Sequence, residues 1–168
     1  MQRRKLLVVG AATGVLLTIA GGALALLRPA RIEGRLSAGS SAVMSAVAQT
    51  VLNGFLPADA AARAVALQAH LSRLQATIAG FPPAMQGEVD ELLAMLAHPA
   101  GRAALFGMTA DWAEAKPHEL HAAMRSLQGS GAALRQQVFH ALRDLTNAAY
   151  FADASTWAQL GYPGPRPV

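Results

Sequence analysis

Four apolar residues in the stretch 58–79, Leu67, Leu71, Leu74 and Ile78, fall four, three and four positions apart. That spacing draws one buried stripe along an amphipathic helix. The same period recurs elsewhere. Val43, Ala46, Val47 and Val51 predict a helix over 41–53, and Met85, Val89, Leu92 and Leu96 predict one that ends near 97. Leu134, Val138, Leu142 and Leu145 predict a last long helix running to about 150. Few β-branched or aromatic runs alternate at period two, and Ala, Leu, Gln and Arg, all good helix formers, dominate. Pro and Gly supply the punctuation, at Asn53-Gly54 with Pro57, at Gly80-Phe81-Pro82-Pro83 and at His98-Pro99-Ala100-Gly101. A short helical turn is expected over 102–106, and Pro117 suits the first position of a helix to about 127. Ser130, in Gly129-Ser130-Gly131, reads as the cap of the last helix. No internal repeat of fixed period is present. The prediction is an all-α protein, an irregular helical bundle over 41–153.

Ahead of the bundle the pattern changes. Gln2-Arg3-Arg4-Lys5 is a basic head, and an uncharged, mostly apolar run from Leu6 to Leu27 follows it. A positive head, an apolar stretch and small residues near its end make up an export signal. Arg3 and Arg4, with Leu6 and Leu7 at the hydrophobic positions behind them, have the form read by the twin-arginine route. An ordinary secretory signal whose basic residues happen to be adjacent arginines is the alternative. The run is also long enough to span a bilayer, since roughly 20 apolar residues suffice. Ala23-Leu24-Ala25 offers a small-x-small cleavage site, so removal and retention both stay open. Arginines flank the run on both sides, which leaves its orientation open as well. Residues 1–27 are therefore read as a twin-arginine-type signal or membrane anchor. Residues 28–40, with Pro29, Gly34, Gly39 and adjacent serines, are read as a linker.

Composition alters this picture in two places. The net charge of +4 over 168 residues overstates the body, because Arg3, Arg4 and Lys5 are three of the 14 basic residues, leaving 11 against 10 acids. A near-neutral body without a basic patch gives no footing for nucleic acid. The chain has no Cys, so it has no disulfide framework, thiolate metal site or covalent c-type haem motif.

Side chains that carry chemistry are sparse. Gly10 and Gly14 do not open a dinucleotide fold, because no acid follows before Glu33. His118 and His121 share a helix face, but no third ligand is spaced to join them, so solvated histidines are expected. His70 and His140 are read as surface residues on polar faces. Glu88, Asp90 and Glu91 have no partnered base in sequence and read as a solvated face near a helix N-terminus. Gln128-Gly129-Ser130-Gly131 is not a nucleophile elbow, and the scattered methionines read as core filler. No catalytic, cofactor-binding or metal residue is assigned.

The C-terminal stretch 150–165 is the informative one. It holds both tyrosines and one of the two tryptophans in sixteen residues, stiffened by Gly161, Pro163, Gly164 and Pro165. Such a segment has little entropy left to lose on docking; alternatively, Trp157 and Tyr162 fold back to cap the bundle. Tyr150, Asp153, Trp157, Leu160, Gly161, Tyr162, Pro163, Gly164 and Pro165 also form a motif. With the leader, it resembles the gluconate 2-dehydrogenase subunit 3 family. The resemblance is close in this motif, loose over the helical middle. It implies a small helical periplasmic subunit, itself noncatalytic, that exports, matures or tethers a large flavin dehydrogenase of the glucose–methanol–choline type. FAD and the catalytic residues would belong to that partner, and a c-type cytochrome often completes such complexes. A stand-alone, membrane-tethered helical protein binding lipid or another small hydrophobe is the alternative.

Overall fold

A computed structural model describes residues 28–164. Arg3, Arg4, Leu6, Leu7 and Pro165 lie outside the described residues. Within them the chain is mostly helical, with one small hairpin. Strands β1 (Arg31–Ile32) and β2 (Arg35–Leu36) precede helices α1 (Ala38–Val51), α2 (Ala60–Ala79), α3 (Pro83–Ala97), α4 (Pro99–Phe106), α5 (Pro117–Gln128) and α6 (Ala133–Phe151), and a 3₁₀ turn (Ala154–Leu160) closes the series.

The stretch 28–40, read as a linker, is a built part of the fold. Arg31 pairs with Leu36 and Ile32 with Arg35, joined through Glu33 and Gly34 at φ 51° and 77°. Two consecutive positive-φ residues match the twist of the flanking strands. Arg31 anchors the hairpin, donating to both carboxylate oxygens of Asp90 at 2.6 and 2.8 Å. Its Nη2 also reaches Gln86 Oε1 at 3.1 Å. Asp90, read as part of a solvated face, is thus a tertiary anchor. Ser37 then caps α1, its Oγ accepting from the Ser40 amide, so the helix starts three residues before the expected position.

α1 is the helix around which the others assemble, meeting α2, α3, α5 and α6. Its sequence contains no charged side chain, as befits a helix buried on most sides. Val43, Met44 and Ala48 are fully buried. Small residues let its neighbours approach closely: a methyl group at Gly39 would lie 3.1 Å from the Ala97 Cβ. Most of the expected stripe positions reach the core. Leu74, Ile78, Leu96, Val138 and Leu142 have no exposed surface and join one continuous apolar cluster, whereas Leu67, Met85, Val89 and Leu134 are half-buried.

Two local expectations are corrected. The turn expected at 102–106 is the second half of α4, which begins at Pro99 with His98 as its cap. Pro99 suits a first helical position, and Gly101 lies against the Met95 carbonyl, where a side chain would collide. Ser130 does not cap α6. Its cap position is Ala132, and the Ser130 Oγ, three residues ahead of the helix, accepts instead from the Ala132 amide at 3.2 Å.

Candidate docking surface at the C-terminal end

The tail is positioned by α6, whose stripe Val138, Leu142, Leu145 and Ala149 packs against α1 and α2. Where α6 ends, one arginine holds three things together. Arg73 of α2 donates from Nε to the Ala149 carbonyl at 3.2 Å and from Nη1 to Asp153 Oδ2 at 3.1 Å. Its guanidinium also lies 5.9 Å from the centroid of the Tyr150 ring. A cation over an aromatic face is a favourable placement, and an otherwise open carbonyl at a helix end gains a donor.

Asp153 turns the chain into the 3₁₀ segment. Its Oδ1 accepts from the Ser155 amide at 2.9 Å and from the Ser155 hydroxyl at 2.7 Å. These hydrogen bonds, and then the charge of Arg73, hold the carboxyl below the ordinary carboxylate value. Thr156 Oγ1 donates back to the Asp153 carbonyl at 2.7 Å. Tyr150 is buried, its hydroxyl 3.3 Å from the Phe55 carbonyl and 3.4 Å from Gln159 Oε1. Around it, Ala48, Leu52, Phe55, Leu56, Leu67 and Phe151 form a small second apolar cluster.

Trp157 is half-buried and fixed by its indole N–H, which donates to the Phe151 carbonyl at 2.7 Å. Gly161 ends the turn at φ 67°, and the Tyr162 amide returns to the Trp157 carbonyl at 3.2 Å. This left-handed stop needs Gly. Tyr162 is thereby laid beside the indole, ring centroids 5.5 Å apart. Gly164, at φ 95°, passes over the other part of the indole, where a Cβ would sit 3.7 Å from Cζ3.

The motif therefore divides by residue. Tyr150, Asp153, Trp157, Gly161 and Gly164 build and brace the turn, whereas Leu160 is 52% exposed and Tyr162 49% exposed. Pro163 is exposed beside them. Trp157 thus folds back against the end of the bundle, with Tyr162 laid against it but half exposed.

Sequence reasoning missed two residues here. His70, expected on a polar surface, is completely buried. The stripe could have shown this, because position 70 lies three after Leu67 and four before Leu74. Arg73, one turn on, carried no signal, since its partners sit about 80 residues away in sequence.

Elsewhere, His118 is exposed and His121 half-buried, and among the described residues no group of three or more His, Cys, Asp or Glu is placed to hold a metal. No helix among the described residues is long and apolar enough to cross a membrane. An open groove of about 680 Å³ runs beside the hairpin, walled by Pro29, Ile32, Ala94, Ala97 and Pro99 with Arg28 at its edge. No family model, curated protein or solved structure matches the chain.

Proposed function

We propose that this chain is a noncatalytic accessory subunit that exports, matures or tethers a periplasmic FAD-dependent dehydrogenase. The observation that carries the reading is the braced tail. Leu160, Tyr162 and Pro163 face outward from a base that Trp157, Tyr150 and the Arg73–Asp153 pair hold in place. Rigid, exposed aromatic and apolar groups dock at low entropic cost and are typical of interface centres. Resemblance of this motif to gluconate 2-dehydrogenase subunit 3 supplies the class of partner, a large flavoprotein, with a c-type cytochrome as a further member. Arg3 and Arg4 would engage the twin-arginine translocase, which carries folded cargo and so suits a preassembled pair of subunits. Replacing Arg3 and Arg4 by a lysine pair tests the carrier role. Both chains should then remain in the cytoplasm; continued export of the large chain refutes it.

A second reading, a tethered protein that holds the acyl chain of a lipid, draws on the groove beside the hairpin, whose walls are mainly apolar. Organic extraction of the purified protein would release stoichiometric lipid under this reading. Lipid-free protein refutes it.

A further inference from the structure

His70 sits midway along α2 with no exposed surface, and neither ring nitrogen has a hydrogen-bond partner among the described residues. Its ring lies 6.2 Å from that of Tyr150, the residue on which the tail is built. The surroundings offer a proton no help. Arg73, three residues on in the same helix, places a second cation nearby and is itself engaged by Asp153. α1 and the 3₁₀ turn carry no charged side chain. α3, which also meets α2, carries Glu88, Asp90 and Glu91, and Asp90 is held by Arg31. From α6 the nearby titratable group is the Tyr150 phenol, already directed at the Phe55 carbonyl.

We propose that His70 is an acid-sensitive latch: protonating its buried ring loosens α2 from α6 and frees the tail that α6 carries. Burying an unpaired charge is costly, and here the added charge would face a guanidinium across one helical turn. α2 and α6 share one of the most extensive helix contacts in the fold, and Arg73 bridges that contact to the tail. An outward movement of His70 would therefore displace Arg73 from Ala149 and Asp153. The release is a property of the fold; only its use in parting from a partner rests on the docking reading above.

The direction follows from linkage. Burial, followed by the charge of Arg73, lowers the His70 pKa from 6.5 to about 4. The closed arrangement, which holds the neutral ring, is favoured fully above 6.5 and progressively lost as pH falls from 6.5 towards 4. Those two values raise the ratio of open to closed molecules about 20-fold between pH 7 and pH 5. Asp153 is held below its ordinary value of 3.8 and titrates under this window.

Amide hydrogen exchange on the full chain, corrected for the intrinsic pH effect, tests the latch. In the wild type, opening of segments in α2 and in residues 150–161 should rise about 20-fold from pH 7 to pH 5, with α3, α4 and α5 unchanged. In His70→Leu the rise should vanish. An equal rise in both proteins, no rise in the wild type, or a uniform rise through α3, α4 and α5 overturns the proposal. If His70→Leu does not fold, the ring proton signals of wild-type His70 decide: a ring that stays neutral through pH 5 supports the latch, and titration near 6.5 overturns it.

Discussion

Removing the outward side chains of the tail should weaken docking while leaving the fold intact. The double variant Leu160→Ser/Tyr162→Ser does this, because both residues are about half exposed and neither belongs to the apolar clusters. Burying a large apolar side chain completely stabilises by about 1.5–3 kcal/mol. About half of that remains available at each residue, so a partner covering both would gain about 2 kcal/mol. The loss corresponds to a roughly 30-fold weaker Kd. Stability should change by less than about 0.5 kcal/mol, as for ordinary surface positions. Trp157→Ala is the counterpart: it removes the indole that bonds the Phe151 carbonyl and supports Tyr162 and Gly164. It should cost about 2 kcal/mol of stability. Urea unfolding read by far-UV circular dichroism gives the stability arm, and titration of the isolated partner by calorimetry gives the affinity arm. Full affinity in the double variant would refute the assignment of Leu160 and Tyr162 as the contact surface. Unfolding of the double variant would refute the division between bracing and outward residues.

Two further substitutions test how the bundle is held. Gly101→Ala would drive its methyl into the Met95 backbone at the α3–α4 corner, costing about 3 kcal/mol in urea unfolding; an unchanged midpoint would contradict the tight corner. Arg102 is 95% buried, donating to the Thr109 carbonyl and to Asp111. Because Asp111 is largely exposed, its ionic share is screened. Arg102→Met should therefore cost only about 1–2 kcal/mol, chiefly from the Thr109 carbonyl left without its donor. A cost above about 4 kcal/mol would mean the ion pair carries far more than its exposure allows.

The helices were legible because their stripes repeat strictly and their ends carry Gly or Pro. Leu67, Leu71, Leu74 and Ile78 define α2 without any knowledge of the partner face, and all are at least half-buried in the fold. The hairpin at 31–36 was not legible. Two residues per strand give no alternation to detect, and what fixes it is Arg31 reaching Asp90 across 59 positions. His70 was misplaced because its chemistry argued for water while its position argued for the core, and position prevailed. The tail was recognisable as a unit from its aromatic and Gly/Pro content. Which of its side chains face outward depends on the left-handed stop at Gly161, a geometry that composition does not encode. The Arg73–Asp153 anchor was invisible for the same reason as the hairpin's, being a contact between distant charges.

The most direct test is isolation of the chain, tagged behind a long C-terminal linker to keep the tail free, in mild detergent from its own cells, followed by an absorption spectrum. A large coeluting chain with the absorption of bound flavin is the result expected of an accessory subunit. A colourless, solitary small protein would contradict that account and leave the tail as a cap on the bundle.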